Sequence, residues 1–254
     1  MAKVKAALLF LAVAVTAHAD WTILSARSEP GRAGVVHRHV VLEDSETNEG
    51  ATIDLAVFST KSCTLRLIDQ PSPPRSDLAH VMRQERCLAG VNGGYFDPNY
   101  APIGLLIADG KAIAPLRRAG LLTGVLAASA RGVQILRIRE FSRQQKADAA
   151  IQCGPFLVDL GQRLRGLEAT RTARRTFAAV ARADRAALGF CSDVSLSELA
   201  KILATTRLAD DFRIERALNL DGGSSSAFWV ARDSSALSIP EQKTVRDFVA
   251  IVPR

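Results

Sequence analysis

The strongest constraint on the fold is a two-residue rhythm in the first quarter of the chain. In Thr52-Ile53-Asp54-Leu55-Ala56-Val57-Phe58, and again over residues 35–41, apolar and polar side chains alternate. Successive side chains of an extended chain point to opposite faces, so this pattern predicts strands with one face buried. Residues 65–68 read as another strand, closed by Gln70-Pro71-Ser72-Pro73-Pro74, where proline excludes helix. Further on, Asp109-Gly110 between the apolar runs 103–107 and 111–115 is a hairpin signal. Residues 120–128 and 133–138 are two more strand-like runs joined by a turn at Ala130-Arg131-Gly132. Residues 177–181 are expected to pair with 186–190 across Asp184-Arg185, and the last strand is expected over 244–252.

Helical signals are few. Ser76 or Asp77 caps a predicted helix running to Arg86, and the polar segment 139–148 reads as a short helix. Ser195-Leu196-Ser197-Glu198 is a capping box, followed by Leu199, Ile202 and Leu203 at helical spacing. No Gly/Ser-rich linker divides the chain and no stretch repeats at a fixed period. The expectation is a single α+β domain with a large mixed or antiparallel β-sheet and a few flanking helices.

Residues 1–19 have the form of a secretory signal. Lys3 and Lys5 precede an apolar run, and Ala17-His18-Ala19 is a small-x-small cleavage pattern. The apolar run is shorter than the roughly 20 residues a membrane span needs. The mature domain is therefore expected over 20–254, secreted or periplasmic. In an oxidising compartment Cys63, Cys87, Cys153 and Cys191 can form two disulfides with three possible pairings; Cys63–Cys87 and Cys153–Cys191 join the residues closest in sequence. These cysteines lack zinc-site spacing, and there is no HExxH. The net charge of +7 comes largely from arginine and favours anionic partners, although an arginine-rich surface alone accounts for it equally well. No aromatic pattern of the kind that stacks on bases is present, so nucleic acid is not expected.

Two glycine-rich junctions carry the candidate chemistry. The first is Asn92-Gly93-Gly94-Tyr95-Phe96-Asp97. The second is Asn219-Leu220-Asp221-Gly222-Gly223-Ser224-Ser225-Ser226. Glycine lets backbone N–H groups approach an anion closely, and Asn219 and Asp221 flank Leu220 on the same side of an extended segment. Asp221 can serve as base, nucleophile or metal ligand, with a divalent cation possible there and Asp97 as the reserve carboxylate; a plain Asx turn is the structural alternative. Arg175-Thr176 adds a guanidinium fork suited to phosphate, at the end of a loop that also carries Arg163, Arg165, Arg171 and Arg174. Ile151-Gln152-Cys153-Gly154-Pro155-Phe156 is an apolar strand broken by Gln and Gly-Pro, as at a functional surface. Ser224-Ser225-Ser226 lacks a GxSxG elbow and a histidine partner, which argues against a serine hydrolase.

These motifs, in this order, resemble the phosphodiester glycosidase family: Asn92-Gly93-Gly94-Tyr95-Phe96, Pro102-x-Gly104 with Asp109-Gly110-Lys111, Gln152-x-Gly154-Pro155, Arg175-Thr176, and Asn219-Leu220-Asp221-Gly222-Gly223-Ser224. The likeness covers about 91–252. It implies hydrolysis of a sugar-1-phosphodiester at the glycosidic bond in a secreted or lumenal setting. Asn92, Arg175 and Asp221 would be catalytic; Gly93, Gly94, Gln152, Gly154, Thr176, Asn219, Gly222, Gly223 and Ser224 would bind substrate. Two departures bear on pocket shape. Phe177-Ala178-Ala179 stands where the family has alanine, an aliphatic residue and glycine, and Ser224 replaces a third glycine. The rival readings are a non-catalytic envelope module binding phosphorylated glycan and a phosphodiesterase cutting at phosphorus.

Overall fold

In the computed structural model, which describes residues 21–141, 146–209 and 212–254, the alternating runs become strands of three antiparallel sheets. The largest has eight strands, in the order Trp21–Pro30, Val36–Asp44, Gly50–Ser59, Arg185–Val194, Ala173–Ala181, Ile214–Asn219, Phe156–Asp159 and Gln162–Arg163. A five-stranded sheet runs Lys111–Ala114, Leu106–Ala108, Ala149–Cys153, Gly124–Ser129, Gly132–Arg137. A second five-stranded sheet runs Leu237–Ile239, Phe228–Val230, Ala89–Asn92, Asp247–Pro253, Cys63–Asp69.

All three sheets turn one face toward a common core. Phe58, Phe156, Leu188 and Leu218 come from the large sheet, Leu126 and Ile151 from the second, and Leu65, Val91, Phe228 and Ile251 from the third. The opposite face of the large sheet is covered by the helix Leu196–Thr205 through Leu199, Ile202 and Leu203. That helix begins with the expected capping box, in which the Ser195 side chain and Glu198 satisfy each other's backbone N–H groups. The outer face of the third sheet is covered by the helix Leu78–Gln84, capped by Asp77 Oδ1 accepting the His80 N–H at 2.8 Å.

Several local expectations change. The helix stops at Gln84 because Arg86 already has φ +52°. The strand expected over 120–128 begins only at Gly124, and the one over 103–107 is reduced to Leu106–Ala108. Residues 138–140 form a turn tied by the Arg137 N–H to Glu140 Oε2, and the rest of the helix expected over 139–148 falls partly on 142–145, outside the described residues. The expected signal at 1–19 also lies outside them. The run Ile151 to Val158 does break at Gly154-Pro155, where the chain leaves the second sheet and enters the first. Glycine is needed at 154 because an added Cβ would stand 2.2 Å from the Leu121 carbonyl oxygen.

Neither expected disulfide forms; all four cysteines are free and buried. Cys153 lies in the common core and Cys191 on the other face of the eight-stranded sheet, so a sheet separates them. Cys63 and Cys87 are divided in the same way by the third sheet. Proximity in sequence failed as a guide because the strands between these cysteines are walls rather than connectors.

Candidate functional site

Three strand ends converge beside the common core. Asn92, the last residue of Ala89–Asn92, is buried and clasps them. Its Oδ1 accepts the Thr176 hydroxyl at 2.7 Å and the Ala227 N–H at 3.0 Å, while its Nδ2 donates to the Asp221 carbonyl at 2.8 Å. Backbone bonds run alongside: Leu220 N–H to the Thr176 carbonyl at 2.8 Å, and Asp221 N–H to the Gly93 carbonyl at 3.1 Å. A Cβ built on Gly222 would lie 3.3 Å from the Arg174 carbonyl oxygen and 3.9 Å from Arg175 Nη1. The two glycine junctions and the Arg175-Thr176 pair therefore share one site, although 129 residues separate Asn92 from Asp221.

Within that site the amides divide differently from the sequence expectation. Gly93 and Gly94 donate to the carbonyl and the Oδ1 of Asp247, both at 2.9 Å. Both N–H groups are thus committed to Asp247, Gly93 to its backbone carbonyl and Gly94 to its carboxyl, and are not presented to an incoming anion. Only glycine fits at 93, since a Cβ there would meet Asp247 Oδ1 at 1.8 Å. At the second junction Gly222 N–H donates to Asp221 Oδ1 at 2.9 Å. Among the described residues the N–H groups of Gly223 and Ser224, at the head of the 3-10 turn Gly223–Ser225, have no acceptor in the chain. They are the donors left for a ligand, with Gly223 at φ +64° turning the backbone outward.

Other expected site residues hold the frame. Gln152 Oε1 accepts from the Leu105 and Arg117 N–H groups at 3.1 and 2.9 Å, and its Nε2 donates to the Arg117 carbonyl at 2.6 Å. Its polar atoms are therefore taken up in pinning the segment 105–117. The Gly154 carbonyl accepts from the Tyr95 hydroxyl at 2.5 Å and from Asn219 Nδ2 at 3.0 Å. Asp97, the reserve carboxylate, closes its own loop by accepting from the Asn99 and Ala101 N–H groups, each at 2.8 Å. Its Oδ1 thus makes the Asx turn.

The charges gather on one side. Asp221 is half-buried, and burial raises its carboxyl above the ordinary carboxylate range, against the Ser225 hydroxyl, Lys243 and the Gly222 N–H. Arg175 is buried; its Nε donates to the Val194 carbonyl at 3.0 Å and its Nη2 to the Arg171 carbonyl at 2.7 Å, leaving Nη1 toward Gly222. Burial lowers its pKa and Glu168 opposes that shift. Arg174 is turned away, donating to the Ser226 and Pro240 carbonyls. Two groups escaped the sequence reading. The exposed Lys243 stands with Nζ 5.1 Å from the Phe96 ring centroid, and its backbone is tied to the Ser224 carbonyl. Asp247 is fully enclosed, and burial pushes it up to about 7, with Asp69 and Asp221 adding to the rise. Its only sequence signal was an acid heading an otherwise apolar strand, Asp247-Phe248-Val249-Ala250-Ile251. Among the described residues no three His, Cys, Asp or Glu side chains gather closely enough to hold a metal ion.

A family model described as phosphodiester glycosidase matches residues 85–252. The uncharacterized protein YigE of Escherichia coli (strain K12) is 31% identical over 91 residues, which is 33% of this chain and 36% of that protein. The match thus spans about a third of that curated relative. Among solved structures, a hypothetical protein from Synechocystis superposes with TM-score 0.64 at 15% identity, over 87% of this chain and 62% of the other. The catalytic domain of zebrafish N-acetylglucosamine-1-phosphodiester alpha-N-acetylglucosaminidase, auto-inhibited by its pro-peptide, superposes with TM-score 0.62 at 15% identity, over 95% and 86%. At that identity both likenesses are of fold.

Proposed function

Because the chain belongs to the phosphodiester glycosidase family, we propose that it hydrolyses the glycosidic bond of a sugar-1-phosphodiester carried by an exported glycan or glycoconjugate, releasing a sugar and a phosphomonoester. The convergence of Asn92, Arg175 and Asp221 on one cluster carries this assignment. Arg175 Nη1, the free N–H groups of Gly223 and Ser224, and the Lys243 ammonium form the anion-facing side, and there they hold the phosphodiester and offset the charge that builds on the departing phosphate. Asp221 acts at the anomeric carbon, either deprotonating water or attacking directly. Its raised pKa makes it a stronger base than an exposed carboxylate. A phosphomonoester leaves readily, so the site does not need the paired acid of ordinary glycosidases, and Asp97 is accordingly free to close a loop. Asn92 and Thr176 act through position, holding the Asp221 backbone against Gly93.

The test is a panel of sugar-1-phosphodiesters, with phosphomonoester release measured for the wild type, Asp221→Asn and Arg175→Ala. Loss of turnover in Asp221→Asn with a raised KM in Arg175→Ala is the expected result. Unchanged turnover in both removes the mechanism. Glycan binding that survives Asp221→Asn, with no product from any member of the panel, makes the chain a binding module instead. Turnover in isotopic water that labels the phosphate rather than the sugar moves the cleavage to phosphorus. Assay after chelation decides whether a divalent cation takes part.

A further inference from the structure

At the other end of the strands that present Asn92, a second basic cavity opens. It has a volume of about 530 Å³ and is lined by Arg32, Arg83, Arg86, Leu88, Trp229, Arg232 and the single acid Asp233, among others. Leu88 is four residues from Asn92 along an extended chain, which places the cavity about 13 Å from the glycine junctions. Its frame is stitched from three distant segments. Gly31 bridges to Arg232, Ala231 N–H donates to the Leu88 carbonyl at 2.9 Å, and a Cβ at Gly31 would stand only 2.6 Å from the Ala231 carbonyl oxygen.

The charge of its lining marks this cavity as a site for an anion. Arg232 is held by Glu29 and Ser235, but among the described residues the guanidinium groups of Arg32, Arg83 and Arg86 have neither an acid nor a carbonyl partner. Trp229, only 4% exposed, forms part of the cavity wall. Four arginines against one lining acid, Asp233, leave the cavity with an excess of positive charge. A negatively charged ligand with several acceptor oxygens offsets that excess. The volume suits a monosaccharide-sized group, and a planar guanidinium fork matches phosphate bidentately.

We propose that this cavity is a phosphate-bearing sugar site, distinct from the Asp221 cluster, that takes either a free sugar phosphate or a second phosphorylated unit of a longer glycan. It stands whether or not the chain is a hydrolase. Trp21 and Trp229 are the two tryptophans, so a Trp21→Phe background leaves Trp229 as sole fluorescence reporter. In that background glucose 1-phosphate, a methyl ester of the same sugar phosphate, and glucuronate are titrated. The expected result is a saturable change with the phosphate ligands, weakened roughly tenfold or more by Arg83→Ala with Arg86→Ala and unaltered by Asp221→Asn or Arg175→Ala. Both arginines are exposed and unpartnered, so the double variant is expected to fold normally. Tighter binding of the monoester points to a free sugar phosphate, and tighter binding of the diester to a polymer unit. No saturable change with either phosphate, equal affinity in the double variant, or glucuronate binding as tightly as the phosphates overturns the assignment.

Discussion

Asp247 offers a sharp test, because its carboxyl is enclosed by protein and yet sits where two amides of the candidate site converge. Burial raises its pKa from 3.8 to about 7, with the neighbouring Asp69 and Asp221 contributing, while the Gly94 N–H pulls the other way. The raised value means that between about pH 4 and pH 7 the folded protein keeps a proton that the unfolded chain has released. The native state then binds more protons than the unfolded one, so stability falls as pH rises through that window and levels off above it. At about 1.4 kcal/mol per unit, the full effect is about 4 kcal/mol. Asp247→Asn removes the titration but keeps an oxygen to accept the Gly94 N–H and leaves the backbone bond from Gly93 untouched. Urea denaturation at pH 5 and pH 8 should show the wild type losing about 3 kcal/mol between the two, and the variant losing markedly less, so that the two stability curves converge or cross as pH rises. Parallel curves, with the same loss in both proteins, would refute the placement of Asp247 as a buried, largely protonated acid.

Gly93→Ala forces a methyl group to within 1.8 Å of Asp247 Oδ1, so the carboxyl must swing away from Gly94; overpacking and the lost bond together should cost about 2–5 kcal/mol in denaturant midpoints, and phosphomonoester release should fall with it. Asn92→Ala leaves the Thr176 hydroxyl and the Ala227 N–H without their buried acceptor, and a loss of at least about 2 kcal/mol is expected by thermal or urea unfolding. If Asp221 works as a carboxylate, kcat/KM should decline as pH falls through a pKa above the ordinary carboxylate range, a limb that an exposed acid would show at lower pH. The four cysteines should resist maleimide in the native protein and take four labels after denaturation without reductant; failure to label there would restore the disulfides.

The fold was legible where burial writes a rhythm into the chain. Val36–Asp44 and Gly50–Ser59 each bury alternate or nearly all side chains, and Asp109-Gly110, at φ +48° and +73°, makes the expected turn between Leu106–Ala108 and Lys111–Ala114. Trp21–Pro30 was silent because it is an edge strand whose residues, apart from Trp21, are exposed or half-exposed, so nothing in its sequence has to alternate. The same logic hid the assignment of strands to sheets. The Gly-Pro break within residues 151–158 was visible, but not that the chain passes from one sheet to another there, where the close approach of Gly154 to Leu121 requires glycine.

The candidate site divides along a similar line. Spacing located the Asp221 junction, since an acid between glycines at a strand end needs no distant partner to be noticed. Spacing could not say which glycine amides were free. Gly93 and Gly94 look like an anion cradle by composition, but the protein fills that cradle with its own Asp247, 153 residues away from Gly94. The first glycine pair thus closes the back of the site around an internal acid, and the second, whose Gly223 and Ser224 amides remain open beside Arg175 and Lys243, faces outward. If the anion binds at the outward pair alone, Gly223→Ala, strained at φ +64°, should raise KM with little loss of fold stability, whereas Gly93→Ala should damage both together. A Gly223→Ala enzyme with unaltered KM would place the phosphate elsewhere.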